Sequence, residues 1–380
     1  MKIDIKSLIL DIFIISLCIF CIFYLSDIIY KNKSLLIIDY ILLFLVVFYI
    51  SITIHEFAHS LVYIFHHMKI RAIYIFPFCF IKDKNAWRTV FNLNNIGLMG
   101  ASVVEQFEIS NEADFKRMVR VFAKSMLFAT VSGIVMTVFG LGLIILGYIV
   151  GDSSNLITVG CMFLLVNFIL VINSFNRTGN TGGDYFAYKY IFNNYEVAAQ
   201  FIFNYMKLSS NYDKLRKNSN YLRKMLTEIF ERRVKENIID VDAISIATGF
   251  ISDFLVAKIV LPDSIERYVE KFNKNANEFN KIKNLEICKK FITKTAYYYE
   301  FIGKHEVAKK IYNDFILQFP NENVSNYFKL QAEHIIQHKD NSAFLNEMKN
   351  IKPDLYYSFY RLFDGYIHDE VFLNEKLREN

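Results

Sequence analysis

Long apolar runs fill the first half of the chain, whereas polar and charged residues are frequent in the second half. A helix that crosses a membrane needs about 20 mainly apolar residues. Runs of that kind cover residues 7–30, 35–65, 125–150 and 156–175. The first run is too long for the apolar core of a signal peptide and lacks a small-residue cleavage site, so an uncleaved helix is predicted. The pattern therefore predicts four transmembrane helices.

A different pattern separates the second apolar run from the third. Residues 70–104 contain β-branched and aromatic stretches interrupted by Pro77 and by polar clusters, which predicts a short hairpin or a small β-sheet. Asn111 follows with acidic residues directly behind it, an order typical of a capped helix start. Glycines recur in the third run, and small residues let membrane helices approach closely. They are Gly133, Gly140, Gly142 and Gly147.

The second half of the chain has the pattern of amphipathic helices. Helices are predicted at residues 221–235, 242–258 and 264–275. Residues 185–206 are aromatic and amphipathic, which predicts either a helix at the membrane interface or a core helix. Residues 289–322 resemble one tetratricopeptide repeat, in which small residues let two helices cross closely and aromatic residues fill the space between them. The matching positions are Ala296, Tyr299, Gly303, Ala308, Tyr312 and Pro320. Residues 325–352 are interpreted as a degenerate second copy.

Composition supports a membrane part followed by a polar part. Of the 380 residues, 53% are hydrophobic and 21% are charged, and the mean hydropathy is +0.24. The predicted fold class is mainly α: a polytopic α-helical membrane protein with a small β element and a C-terminal, all-α domain that is tetratricopeptide-like. The expected division is a transmembrane core at residues 1–185 and a cytoplasmic helical domain at residues 186–380. The net charge of +5 is modest and no nucleic-acid-binding motif is present, so no nucleic-acid partner is expected.

The distribution of basic residues predicts the orientation in the lipid bilayer. Lysine and arginine are frequent at the N-terminus, at residues 66–124 and in the C-terminal half, whereas the opposite loops hold only Lys31 and Lys33. Cytoplasmic loops carry an excess of these residues, so both termini are predicted to be cytoplasmic. The five cysteines show no disulfide framework. The excess of Ile, Asn, Lys, Phe and Tyr is typical of an AT-rich bacterial genome, and the predicted location is the cell membrane.

Candidate chemistry lies in the second apolar run, where His55, Glu56 and His59 form an H-E-x-x-H motif. On a helix, His55 and His59 lie one turn apart on the same face, so both imidazoles can bind one Zn²⁺. Glu56 lies about 100° further round the helix, where it can act as a base without being a ligand. Ionisable residues at membrane depth are costly and mark functional sites. The motif therefore predicts a catalytic zinc rather than two histidines with a packing role.

A catalytic zinc needs three protein ligands and one open position. The longer motif of many soluble zinc proteases requires Gly and His where this chain has Val62 and Phe65. Asp184 follows the fourth apolar run, near the predicted depth of the histidines and directly after a glycine-rich segment. Asp184 is therefore one candidate for the third ligand, and Glu105 is the alternative.

Two motifs together resemble the site-2 protease family of intramembrane zinc metalloproteases. The first is the H-E-x-x-H motif, and the second is Asn176-x-x-Gly179-x(4)-Asp184. The family has N-x-x-P-x(4)-D-G at the second position, so this chain keeps the spacing from Asn to Asp. It has Gly179 in place of the proline and Tyr185 in place of the last glycine.

The resemblance covers about residues 35–190. It implies that Asp184 is the third zinc ligand and that Asn176 helps to hold the substrate backbone near the metal. Asn173 and Asn180 are the alternative asparagines for that role. The resemblance also implies that the small sheet after the motif helix aligns a strand of the substrate.

The predicted function is that of a zinc metalloendopeptidase. It would hydrolyse a membrane-protein or peptide substrate within or near the cytoplasmic side of the bilayer, with Glu56 as the general base. One alternative is a non-catalytic membrane scaffold whose helical domain binds a protein partner. Glu56 favours the enzyme, because a structural metal site has no use for that residue. Another alternative is a membrane hydrolase of the same chemistry that acts on a modified or secreted peptide.

Overall fold

The computed structural model describes most of the chain from residue 37 onward. The described residues are 37–83, 86–92, 100–151, 153–178, 181–218, 220–236, 241–274, 285–345, 347 and 369–376. They fall into two compact units. The first holds residues up to Val103 and Arg120–Asn193, and the second holds Val104–Val119 and the residues from Asn194 onward. The predicted helix at residues 7–30 lies outside the described residues.

Three long helices form most of the first unit: α1 at Ile37–Phe65, α2 at Glu112–Ile149 and α3 at Ser154–Phe175. Each is long and apolar enough to cross a membrane, which confirms the second, third and fourth predicted helices as candidate spans. Many of their apolar side chains point outward, as lipid-facing positions require. The structure therefore supports a membrane protein in the part of the chain that it describes.

Helix α2 begins well before its apolar run. The predicted helix start at Asn111 and the third span form one continuous helix. The Asn111 side chain accepts a hydrogen bond from the backbone N–H of Asp114 at 3.0 Å, so the predicted N-cap is confirmed. Residues before Arg120 belong to the second unit, and the rest of the helix belongs to the first.

Helices α2 and α3 approach each other closely at a glycine pair. A Cβ atom placed on Gly140 would lie 2.7 Å from the backbone nitrogen of Leu164 and 2.8 Å from the carbonyl oxygen of Gly160. Because the neighbouring atoms belong to the backbone, no side chain fits there. The prediction of close packing is therefore confirmed at Gly140. It is wrong at Gly142, where a Cβ atom would meet nothing within 4 Å.

Helices α1 and α3 share an apolar cluster. Tyr40 and Val47 of α1 pack with Met162, Phe163 and Val166 of α3. All five side chains are buried, so this cluster fixes the two helices side by side. The relation matters for function, because α1 carries the histidine motif and α3 leads into the segment that contains Asp184.

A four-stranded sheet follows α1, as the sequence predicts. Its strands are β1 at Ile70–Ile75, β2 at Phe78–Asp83, β3 at Ala86–Phe91 and β4 at Gly100–Val104, in the order β3-β2-β1-β4. Strands β1, β2 and β3 pair as antiparallel neighbours. All residues of β1 are buried, and β4 lies beside it at one edge of the sheet.

Two very short strands connect α3 to the next helix. They are β5 at Arg177–Thr178 and β6 at Thr181–Gly182, which pair as a hairpin. Helix α4 then runs over Asp184–Asn193. The hairpin reverses the chain direction directly after the membrane-spanning helix, so Asp184 returns to the end of α3 from which the chain left.

The second unit is mainly helical in the residues that are described. It contains α5 at Tyr195–Tyr205, α6 at Tyr212–Asn218, α7 at Asn220–Lys235, α8 at Val241–Ala257, α9 at Asp263–Lys274, α10 at Glu286–Phe301, α11 at His305–Asp314, α12 at Asn323–Ile336, α13 at Ser342–Leu345 and α14 at Asp369–Lys376. Helices α7, α8 and α9 match the three predicted helices closely. Helices α10 and α11 form a pair in the segment that resembles a tetratricopeptide repeat, and that repeat stays a prediction.

Buried polar groups hold the last helix of the second unit in place. Lys294 of α10 is fully buried, and its Nζ lies 2.9 Å from Glu370 Oε1 of α14. Gln331 of α12 donates to Glu370 Oε2 at 3.0 Å and to Asn374 Oδ1 at 2.7 Å. Charges buried away from water require such partners, so α14 completes the environment of Lys294.

Candidate metal centre

The histidine pair lies on one face of α1. The imidazole centroids of His55 and His59 are 5.2 Å apart and the two rings are nearly perpendicular. His59 is buried and His55 is partly buried. Because α1 contains no proline or glycine, the one-turn separation places both rings on the same face with their Nε2 atoms directed to the same partner. That partner is the Asp184 carboxylate.

A close backbone contact places Asp184 against this face. The N–H of Gly183 donates to the carbonyl oxygen of Asn176 at 3.0 Å, which closes the hairpin. A Cβ atom on Gly183 would lie 2.1 Å from the carbonyl oxygen of Asn173 and 2.3 Å from the Cα of Ser174. The backbone of Gly183 therefore lies against the last turn of α3, and Asp184 starts the next helix from that point.

The three predicted ligands form one group. Asp184 Oδ2 is 2.8 Å from His55 Nε2 and 3.7 Å from His59 Nε2. One ligand atom from each residue lies within 4.8 Å of the other two, and no other group of this kind occurs in the residues that the structure describes. Four-coordinate zinc with bond lengths of about 2.0–2.2 Å separates its ligand atoms by about 3.4 Å. The group fits a zinc ion after a small opening between His55 and Asp184.

Charge around Asp184 favours its ionised form. Burial alone raises the pKa of the Asp184 carboxyl, but the charge of His59 and hydrogen bonds from both imidazoles lower it, and the net pKa lies below its ordinary value. An ionised carboxylate and imidazole nitrogens are donors that zinc prefers. The chemistry of the donor set and the distances therefore agree.

Glu56 lies outside the ligand group, on the adjacent face of α1. Its side chain is buried, and its carboxylate contacts strand β4 rather than Asp184. Ser102 of β4 lies with its Oγ 3.2 Å from Glu56 Oε2. This arrangement keeps the Glu56 carboxylate out of the ligand group, although Glu56 directly follows His55 in the chain, as the sequence motif predicts.

The asparagines have different positions. Asn176 is the residue at which α3 ends, and its backbone groups bond to Asn173 and Gly183. The Asn173 side chain is exposed at the end of α3. Asn180 lies outside the described residues. A role for Asn176 in holding substrate is not decided by these contacts and stays a prediction.

Glu105 is not a member of the ligand group. It belongs to the second unit, and its backbone carbonyl accepts hydrogen bonds from the N–H of Ser210 at 2.6 Å and from the Ser210 hydroxyl at 2.7 Å. The geometry therefore favours Asp184 over Glu105 as the third ligand.

Sequence reasoning did not find two polar contacts near the site. Ser102 contacts Glu56, and Asn167 of α3 donates to Ser51 of α1 at 2.9 Å. Both contacts join residues that are far apart in the chain, and serine and asparagine carry no spacing signal of their own. The small residues at the start of β4 leave room beside the strand for another side chain, and this is the sequence signal that could have indicated the contact with Glu56.

Candidate membrane helices and a His–His–Asp group define a membrane protein with a candidate metal site. The family model of Peptidase family M50 matches residues 43–345, which is most of the chain, and the protein therefore belongs to this family. The resemblance to the site-2 protease family is thus confirmed. Membership implies an intramembrane metalloprotease, and the proteases of this family use zinc. Comparisons with curated proteins and with solved structures give no match to this chain.

Proposed function

We propose that this protein is an intramembrane zinc endopeptidase that hydrolyses peptide bonds of a membrane-associated protein or peptide near the cytoplasmic side of the bilayer. The observation that carries the proposal is the convergence of His55, His59 and Asp184 beside the buried Glu56. His55, His59 and Asp184 would hold Zn²⁺. Zinc, when bound, supplies Lewis acidity that activates water and polarises a carbonyl group.

Each remaining role belongs to a residue of the chain. Glu56 accepts the proton of the attacking water and returns it to the leaving amine, which is general acid–base catalysis. Asn176, at the end of α3, contributes a polar group that orients the substrate backbone. Asp184 and the two histidines would hold the metal without using the Glu56 carboxylate, so this neighbouring base remains free to move a proton.

The small sheet provides a site for an extended substrate. A helical substrate hides its carbonyl groups in intrahelical hydrogen bonds, so it must unwind before hydrolysis. Strand β4 lies at one edge of the sheet, and its residues Gly100 and Ser102 contact Glu56. A substrate strand that pairs with this edge gains replacement backbone hydrogen bonds. Pairing there would place its carbonyl groups near the base.

The orientation and the helical part complete the proposal. Basic residues favour cytoplasmic termini, and this orientation would put the metal site in the cytoplasmic half of α1. Residues 1–185 would form the transmembrane protease core in the cell membrane, and residues 186–380 a cytoplasmic, tetratricopeptide-like domain that binds a protein partner and brings it to the membrane.

Two measurements test the function. In the first, the full chain is co-expressed with small membrane proteins and peptides encoded beside it, and wild type is compared with Glu56→Ala. Cleavage by wild type alone is the expected result. Identical processing in both would overturn the enzyme in favour of the scaffold.

In the second measurement, zinc is quantified in purified protein by mass spectrometry. One zinc per chain is expected in wild type, a strong loss in Asp184→Asn, and no loss in the matched variant Glu105→Gln. Zinc loss in Glu105→Gln with retention in Asp184→Asn would reverse the assignment of the third ligand.

A further inference from the structure

Strand β4 forms a cradle for the Glu56 carboxylate. Gly100 and Ser102 are two residues apart and therefore lie on the same face of the strand. A Cβ atom on Gly100 would lie 2.2 Å from Glu56 Oε1 and 2.5 Å from its Cδ. The carboxylate thus occupies the volume that any side chain at residue 100 would fill. At the other end of the cradle, Ser102 Oγ lies 3.2 Å from Glu56 Oε2.

The Ser102 hydroxyl has one proton to donate, and two oxygen atoms of Glu56 are within reach to accept it. Its Oγ lies 2.9 Å from the Glu56 carbonyl oxygen and 3.2 Å from Oε2. That carbonyl belongs to α1, where the N–H four residues later already bonds to it. A carboxylate is the stronger acceptor, because hydrogen bonds to charged groups are about twice as strong as neutral ones. The proton therefore favours the carboxylate whenever Glu56 is ionised.

A second hydroxyl lies within hydrogen-bond distance of Ser102. Ser60 lies one turn after Glu56, and its Oγ is 3.1 Å from Ser102 Oγ. Ser60 is buried and can donate to the Ser102 oxygen, which leaves the Ser102 proton for Glu56. The result is a short chain of hydrogen bonds that runs from α1 to β4 and back to α1.

From this geometry we infer that Ser102 is a positioning residue for the base, and that Gly100 provides the space that the base requires. The inference rests on the proposed function, in which Glu56 moves the proton. Without the Ser102 hydroxyl, the carboxylate keeps its place on the helix but loses the hydrogen bond that selects its orientation. With a side chain at residue 100, the carboxylate is displaced from the cradle.

The two faces of α1 make the effect separable from metal binding. Glu56 and Ser60 face β4, whereas His55 and His59 face Asp184. Ser102 contacts Glu56 and Ser60, which lie on the first of these faces. A change at Ser102 is therefore expected to alter the base and to leave the zinc ligands in place, which a general loss of folding does not do.

The test compares Ser102→Ala, Ser102→Thr and Gly100→Ala with wild type, all as full-length, zinc-loaded protein in detergent. The substrate is one that wild type cleaves and Glu56→Ala does not. Ser102→Ala is expected to keep its zinc and its KM and to lose about tenfold to a hundredfold in kcat, the range for a hydrogen bond to a charged group. Ser102→Thr restores the hydroxyl and is expected to recover most of kcat. Gly100→Ala is expected to lose kcat at least as strongly.

A matched control separates positioning from packing. Ser125 of α2 is also buried, and its hydroxyl bonds to Tyr63 at 3.1 Å and to the Phe122 carbonyl at 2.9 Å, away from Glu56. Ser125→Ala removes an equivalent hydroxyl and is expected to keep kcat. Equal kcat values for Ser102→Ala and Ser125→Ala would overturn the inference, and so would loss of zinc in Ser102→Ala.

A second readout needs no substrate. Acetohydroxamate binds zinc and gives up a proton to an adjacent base, so its affinity reports the orientation of Glu56. Calorimetry is expected to show a Kd about tenfold higher for Ser102→Ala than for Ser125→Ala. Equal Kd values would refute the positioning role. If Glu56→Ala cleaved as well as wild type, the proposed function itself would fail, which is a different result from equal behaviour of the two serine variants.

Discussion

Asn167 donates a hydrogen bond from its Nδ2 to Ser51 Oγ at 2.9 Å, and this bond joins α3 to α1 one helical turn before His55. Both side chains are buried, and the Asn167 amide also donates to the Phe163 carbonyl at 2.9 Å. Hydrogen bonds between membrane helices contribute about 0.6 kcal/mol on average. A bond of that size adds little to stability, but it fixes the register of α1, which carries the two histidines, and α3, which leads to Asp184.

Replacing Asn167 by leucine is expected to weaken zinc binding about threefold to tenfold. The lost hydrogen bond contributes about 0.6–1.4 kcal/mol to the alignment of the two helices, and the same loss in binding free energy corresponds to that change in affinity. The measurement is a zinc competition titration with a fluorescent chelator. Asn155→Leu provides the control, since Asn155 is exposed on the same helix.

A double-mutant cycle with Ser51→Ala isolates the pair. Because Asn167 and Ser51 contact each other, their effects should be less than additive. Strictly additive losses in zinc affinity would contradict a shared hydrogen bond.

Gly183→Ala is expected to abolish stoichiometric zinc binding. The new Cβ atom would lie 2.1 Å and 2.3 Å from backbone atoms of α3, and backbone at a helix end cannot move aside cheaply. The displaced segment includes Asp184. Gly142→Ala is the matched control, because a Cβ atom there meets nothing within 4 Å and alanine favours a helix over glycine by about 1 kcal/mol. Zinc content and thermal stability are measured for both variants. Full zinc occupancy in Gly183→Ala would show that the close contact does not place Asp184.

Much of the fold follows from local patterns in the sequence. The apolar runs located α1, α2 and α3, because the length and composition of a membrane helix are set by the bilayer and not by distant residues. The small sheet and the Asn111 cap also follow from short segments, in which turn residues and β-branched residues act over a few positions. Helices α7, α8 and α9 of the second unit were located for the same reason, by their periodicity.

In the candidate site, too, the residues that lie close together in the chain could be predicted, and the contacts between distant segments could not. His55, Glu56 and His59 share one helical segment, so their geometry is readable from their spacing alone. Asp184 was one of two candidates, because its approach depends on the hairpin and on the contact of Gly183 with α3. The cradle at Ser102 could not be predicted, since a strand and a helix far apart in the chain create it. Contacts between distant segments produce no periodic pattern in the sequence.

Removal of zinc is expected to stop proteolysis without unfolding the protein. The apolar cluster that joins α1 to α3 contains none of the zinc ligands, so the packing of these two helices does not depend on the metal. Phenanthroline treatment should therefore eliminate cleavage, leave the circular dichroism spectrum unchanged, and be reversed by one equivalent of Zn²⁺. Loss of helical signal on chelation would show instead that the metal holds the first unit together, as it does in small zinc domains.

Lys294→Met is expected to destabilise the second unit by about 3 kcal/mol, because it leaves the buried Glu370 carboxylate without its 2.9 Å partner. The combination of Lys294→Met with Glu370→Gln removes both charges and should recover most of that loss, since a buried ion pair replaced by neutral groups is often nearly neutral in free energy. Lys310→Met, at an exposed position of α11, is the control and should change stability by less than about 0.5 kcal/mol. Chemical unfolding followed by tyrosine fluorescence measures all three variants. A double variant no more stable than Lys294→Met would mean that Lys294 acts through packing of its methylene chain and not through its charge.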